Sequence, residues 1–317
     1  MSETGYAVNI EAPDISPYRQ GNTGIEYVTS LDSGHSGPHV MLSAIVHGNE
    51  LCGALALDYL LRHEVRPVAG KLTLAFMNVA AYERFDPSNP TVSRYVDEDF
   101  NRLWTSDVLD GERDSVELRR ARAVRPIVDD VDYLLDIHSM QHSTVPLMMC
   151  GPQEKGRRLA RDLASPEHVV SDAGHAAGKR MRDYGDFGDP SSPRNALLVE
   201  CGQHWQPESV AVAKEIALRF LARYEVVEPE FVGEHLTADP PARQRVIEVT
   251  GPVTIESDCF RFTERFCGME VIEKKGTLIG WDGDVEVRTP YDNCVLIMPS
   301  RRLKKGESAV RFGRYTV

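Results

Sequence analysis

The sequence predicts an α/β layer fold with a largely parallel sheet, joined to a smaller all-β domain. Three observations carry that prediction. Short, nearly continuous apolar runs alternate with helix-forming segments over the first two thirds of the 317 residues. Those runs lack the apolar/polar alternation of a half-wet strand, so they read as strands buried on both faces. Near Val226 the composition changes, and from Gln244 onward the apolar residues come in short alternating runs broken by Gly and Pro.

Residues 39–46 (HVMLSAIV) form the first buried strand, and residues 53–62 (GALALDYLLR) have helix-forming composition. Residues 71–78 (KLTLAFMN) give the next strand. A helix is expected around residues 116–122, with Pro126 kinking it or splitting it into two short helices. Residues 132–137 (DYLLDI) and 196–199 (ALLV) are two further apolar runs of strand length, with a helical stretch at 156–163 between them. Residues 183–195 (DYGDFGDPSSPRN) are rich in Gly, Pro, Ser and Asp and read as a surface loop. Val212, Ile216, Phe220 and Tyr224 recur every four residues, one apolar face of a helix over 208–224. In residues 277–289 (TLIGWDGDVEVRT), Asp282-Gly283 marks a hairpin turn. The expected division is a catalytic α/β domain over 1–228 and a β-rich domain over 229–317.

Composition narrows the function. With Lys+Arg 36 against Asp+Glu 48 the net charge is −12, which disfavours a nucleic-acid partner. No stretch approaches the roughly 18 apolar residues of a membrane span, and the first 20 residues contain no apolar core of a signal peptide. The six cysteines are scattered with no CxxC pair, which fits reduced thiols in a cytoplasmic protein.

His47 and Glu50 stand three apart in HGNE, directly after the first buried strand. In isolation such a pair is weak, since roughly 1.5 H-x-x-[DE] matches are expected by chance at this composition. Its context strengthens it. His138 follows the run DYLLDI, and Glu200 follows ALLV. Ligands of open α/β sheets bind beyond the carboxyl ends of the strands, where all four residues fall. Two His and one Glu suit a catalytic zinc with a fourth position left for water, and Glu200 would then act as base toward that water. Read singly, His138 is also compatible with a satisfied core histidine and Glu200 with a strand-end ion pair. Residues 94–104 (RYVDEDFNRLW) add Arg94, Asn101 and Arg102; Arg suits bidentate carboxylate recognition and carbonyl polarisation.

HGNELCG, RYVDEDFNRLW, LLDIHS and VECG, in this order and spacing, resemble the succinylglutamate desuccinylase/aspartoacylase family of the zinc-carboxypeptidase superfamily. The resemblance spans Val46 to Gly202 and extends to the β-rich tail. It implies a zinc-carboxypeptidase-like α/β/α sandwich with a largely parallel mixed sheet and a smaller C-terminal all-β domain. It also implies one Zn2+ per chain on His47, Glu50 and His138, with Glu200 as the catalytic glutamate. Arg94 matches the carbonyl-polarising arginine, and Asn101 with Arg102 the pair that holds the substrate α-carboxylate. Relatives use a further Arg ahead of the catalytic Glu and a C-terminal tyrosine; Arg194 and Tyr291 stand nearest those roles, Arg194 at a different offset.

The function expected from this resemblance is zinc-dependent amidohydrolysis of a small N-acyl amino acid, in a chain that could form a homo-oligomer. A metallocarboxypeptidase acting on peptides or peptidoglycan fragments would share the metal chemistry. A non-catalytic metal protein is disfavoured, because a structural zinc needs neither Glu200 nor Arg94.

Overall fold

The computed structural model describes residues 5–174, 177–236 and 238–316. Its strands are β1 (Val28–Asp32), β2 (His39–Ala44), β3 (Lys71–Phe76), β4 (Tyr133–Met140), β5 (Leu147–Met149), β6 (His168–Ser171), β7 (Asn195–Gln203), β8 (Arg245–Thr254), β9 (Phe260–Phe262), β10 (Val271–Ile272), β11 (Leu278–Asp282), β12 (Val285–Arg288), β13 (Cys294–Ile297) and β14 (Ser308–Tyr315). Its helices are α1 (Leu51–Arg62), α2 (Val79–Tyr82), α3 (Ser106–Leu109), α4 (Val116–Val128), α5 (Glu154–Leu163), α6 (Pro207–Arg223) and α7 (Pro229–His235).

Every apolar run read as a strand is one. β2, and all but the first residue of β3 and β4, are fully buried, as their unbroken hydrophobicity requires. β3, β2, β4 and β7 lie side by side and parallel, forming the centre of an eleven-stranded mixed sheet. Helices cover both faces. α1, α5 and α6 enclose one apolar cluster with Trp205, and α4 encloses another with Phe100, Leu103 and Met181.

Pro126 does not divide its helix. α4 runs unbroken from Val116 to Val128, with Pro126 in its last turn, so almost no helix remains beyond it to kink. β4 and β7 both run past the apolar stretches, so His138 and Glu200 stand within strands rather than after them.

The β-rich tail is not separate from the main sheet. β8 pairs parallel with β6, and β14, β13 and β10 follow antiparallel beyond it. Among the described residues, only β9, β11 and β12 make a small sheet of their own, which includes the expected hairpin at Asp282-Gly283. The shared sheet brings C-terminal residues to the ends of the catalytic strands.

Candidate active site

Gly48 explains why the turn after β2 can be so tight. A Cβ there would lie 2.4 Å from the backbone of Ala81 and Tyr82 and 2.5 Å from the Ser93 carbonyl oxygen. The Gly48 N–H also donates to the Arg94 carbonyl (3.1 Å), which fastens the Arg94 segment to the turn. Glu50 stands at the N-cap of α1, where its side chain turns back toward the strand ends. Trp205 donates its indole N–H to the Asn49 carbonyl (3.2 Å).

Sheet register supplies the rest. His138 and Glu200 are partners in the β4–β7 ladder, so their side chains leave the sheet on the same side. Asp136 precedes His138 by two residues and shares its face. Its carboxylate lies 2.8 Å from His138 Nε2 and accepts the Ser43 hydroxyl (2.7 Å) from β2.

His47 Nδ1 is 2.7 Å from Glu50 Oε1, and His138 Nδ1 is 2.9 Å from Glu50 Oε2. One ligand atom from each of the three lies within 4.8 Å of the other two, and all three residues are buried. Burial opposes charge on Glu50, but His47 and His138 hold it well below the usual carboxylate range. Burial likewise opposes charge on His138, and Asp136 and Glu50 overcome it, raising its pKa well above that of a free imidazole. Positive charge is thus demanded at this point, and a cation meets that demand as a proton does. Asp136 fixes the outer nitrogen of His138 and leaves Nδ1 for a metal, a carboxylate–histidine–metal arrangement. The donor set fits zinc with one carboxylate and two imidazoles.

Glu200 faces this cluster differently. It is buried, its Oε2 has no hydrogen-bond partner among the described residues, and burial together with Glu50 pushes its pKa up to about 8. Arg94 is half-buried nearby, with Nη2 2.9 Å from His47 Nε2 and 3.2 Å from Asp99 Oδ2. Burial opposes the Arg94 charge, and Asp99 and Glu50 more than offset it.

These groups line a cavity of about 240 Å³, small beside the roughly 300–1,000 Å³ of drug-sized sites. The family model of the succinylglutamate desuccinylase/aspartoacylase catalytic domain matches residues 36–224, more than half of the chain. The chain belongs to this family.

Solved structures agree on the fold. A succinylglutamate desuccinylase/aspartoacylase from Rhodobacter sphaeroides superposes with a TM-score of 0.64 at 20% identity, covering 92% of this chain and 90% of that one. The succinylglutamate desuccinylase from Chromobacterium violaceum gives 0.65 at 15%, covering 92% and 89%. The product-bound ectoine utilization protein EutE from Ruegeria pomeroyi gives 0.58 at 15%, covering 92% of both chains. No curated protein matches the chain at a significant level.

Asn101 and Arg102 also line the cavity of this family member. Asn101 Oδ1 accepts the Met181 N–H (2.9 Å), and Arg102 donates to the Asn101 carbonyl (2.8 Å). The segment is shaped by Glu117, whose buried carboxylate accepts the N–H groups of Val96, Asp97 and Glu98 from the start of α4.

Arg194 and Tyr291 are not brought to the cavity. Arg194 precedes β7, six residues before Glu200, and about 3.3 Å of rise per residue carries it roughly 20 Å away, to the opposite end of the strands. There it donates to the Asp129 carbonyl. The Tyr291 hydroxyl pairs with Thr250 Oγ1 (2.6 Å) while Arg314 stacks 3.8 Å over its ring.

Two arginines not singled out by the sequence do reach the cavity. Arg180 and Arg311 line the cavity and both face Asp172, at 2.9 and 3.4 Å. Arg180 leaves the irregular segment after β6, and Arg311 comes from β14. Burial, reinforced by Arg180, lowers the Arg311 pKa to about 9. No spacing in the sequence points to either. Asp136 was legible as the D of D-x-H in a strand, and Asp99 as the D of D-F-N-R.

Proposed function

We propose that the chain is a zinc-dependent amidohydrolase that removes the acyl group from a small N-acyl amino acid. His47, Glu50 and His138 would hold the metal. The observation that supports this most is Glu200, a buried carboxylate with a vacant hydrogen-bonding oxygen beside a three-donor cluster. A structural metal site closes its fourth position with a protein ligand, and a catalytic one leaves it open.

Bound zinc would supply Lewis acidity and lower the pKa of a water toward neutrality. The chain's own groups divide the remaining work. Glu200 accepts the proton of the attacking water and returns it to the leaving amine nitrogen. Arg94 N–H groups donate to the carbonyl oxygen as negative charge grows there, a contribution of about 3 kcal/mol per donor in comparable sites. Asn101 and Arg102 hold the substrate α-carboxylate and so fix the amide over Glu200. The small cavity supports an amino-acid derivative over a polypeptide.

Amine release from N-acetyl and N-succinyl amino acids, with zinc-loaded protein, tests the reading. Turnover should vanish in Glu200→Gln while one zinc per chain is retained. Arg102→Ala should chiefly raise KM, whereas Arg194→Ala should leave kcat/KM within about twofold, as expected of a residue outside the site. Silence across the panel with zinc bound would reject the deacylase reading in favour of peptide or peptidoglycan substrates.

A further inference from the structure

Residues 301–305 (RRLKK) form a basic stretch in the loop between β13 and β14. Of its cations only Arg302 lines the cavity. It differs from the other arginines there. Arg94 and Arg102 face Asp99, at 3.2 and 4.0 Å, and Arg180 and Arg311 face Asp172. Among the described residues no carboxylate pairs with Arg302; its guanidinium meets a backbone carbonyl and an aromatic ring instead.

Those two partners bracket Arg94. Arg302 Nη2 donates to the Thr91 carbonyl (2.9 Å), and the guanidinium carbon lies 5.4 Å from the centre of the Tyr95 ring, within cation–π range. Thr91 is the N-cap of the single 3-10 turn Val92–Arg94, and Tyr95 follows that turn directly. The Arg94 carbonyl itself accepts the Gly48 N–H (3.1 Å). The Arg94 backbone is therefore tied to two places, the turn that carries His47 and Glu50 and the C-terminal loop that carries Arg302.

That loop is a firm anchor. Ser300 Oγ donates to the Arg302 carbonyl (2.8 Å) and accepts the Arg302 N–H (3.0 Å). The Ser300 N–H donates to the Ala309 carbonyl (2.7 Å) and the Gly306 N–H to the Ile255 carbonyl (2.8 Å), so both arms of the loop are fastened to the main sheet or the chain leaving it. Leu303 packs with Ile255, Phe260 and Ala309. Burial, and then the Arg94 charge, work against the charge on Arg302. Arg302 is thus held beside Arg94 against electrostatic repulsion, by its contacts with Thr91 and Tyr95.

We infer that Arg302 is a positioning residue for Arg94: through Thr91 and Tyr95 it fixes the Arg94 backbone and so keeps that guanidinium aimed at the carbonyl oxygen of the scissile amide. This rests on the deacylase reading, in which Arg94 meets charge that grows only in the transition state. A misplaced Arg94 then lowers kcat and leaves KM nearly unchanged.

Two measurements test this. In the zinc-loaded protein, Arg302→Met should lower kcat about 10–100-fold, with KM within about twofold and zinc content unchanged. Arg302→Lys, whose ammonium can still donate to the Thr91 carbonyl and sit on Tyr95, should recover most of the loss. In an Arg94→Met background, Arg302→Met should cost nothing further, because its effect passes through Arg94. A raised KM at unchanged kcat, or the same loss repeated in the Arg94→Met background, overturns the inference and makes Arg302 a substrate contact in its own right. Hydrogen exchange checks the tether without turnover. The Gly48 amide, bonded to the Arg94 carbonyl, should exchange about tenfold faster in Arg302→Met and near the wild-type rate in Arg302→Lys. Unchanged exchange in Arg302→Met overturns the inference. Absence of turnover in the wild type fails the deacylase reading instead.

Discussion

Removing the Glu200 charge should stabilise the metal-free protein, by an amount that grows with pH. Glu200 has its pKa pushed from 4.5 up to about 8 by burial and by Glu50. A carboxyl raised in the folded state binds its proton more tightly there than in the unfolded chain. Stability is therefore highest below 4.5 and falls as pH rises, until the folded group itself ionises near 8. One pKa unit corresponds to about 1.4 kcal/mol, so the wild type should lose roughly 1 kcal/mol by pH 5 and roughly 3 kcal/mol by pH 7 through this group. Glu200→Gln cannot ionise and escapes that loss. Urea unfolding of chelator-treated wild type and variant, at pH 5, 6 and 7, gives the difference at each pH. The gap should widen by about 2 kcal/mol across the series, and restoring zinc should shrink it, because a cation beside Glu200 lowers its pKa. A gap that is constant with pH would refute the reasoning, since it would mean that Glu200 ionises alike in folded and unfolded chains.

Asp136→Asn should weaken zinc binding about 10–100-fold while the fold is kept, because the carboxylate that fixes the outer nitrogen of His138 is lost; chelator competition measures it, and unchanged affinity would remove Asp136 from the metal site. Gly48→Ala should cost at least about 1–3 kcal/mol in urea unfolding and reduce zinc occupancy, because its Cβ meets backbone rather than a movable side chain.

Much of the site was legible because its residues lie at the ends of apolar runs that announce themselves as strands. β2, β4 and β7 are buried on both faces, so their hydrophobicity is unbroken, and the polar residues that end the apolar runs stand out. H-x-x-E at a strand-to-helix turn and D-x-H within a strand are local geometries, set by periods that a sequence carries openly. The segment RYVDEDFNRLW was readable as a cluster of functional side chains, although not as a loop whose backbone is organised by Glu117 from a later helix.

The choice of arginine was not legible. Arg194 and Arg180 both precede Glu200, at 6 and 20 residues. The nearer one is carried away by the extended strand, while the farther one returns along irregular chain whose path no periodicity describes. Nor could local pattern join the β-rich tail to the main sheet: strand propensity says which residues are extended, not which strand they will pair with. The β6–β8 pairing decides that, and with it the arrival of Arg311 at the cavity.

The sequence by itself thus determined the α/β class and the strand-end positions of His47, Glu50, His138 and Glu200, because each follows from a local pattern of a few consecutive residues. The tertiary structure alone decided which further side chains line the cavity, Arg180, Arg311 and His204 among them. They come from segments far apart in the chain, and their juxtaposition depends on strand pairing and packing that no local pattern encodes.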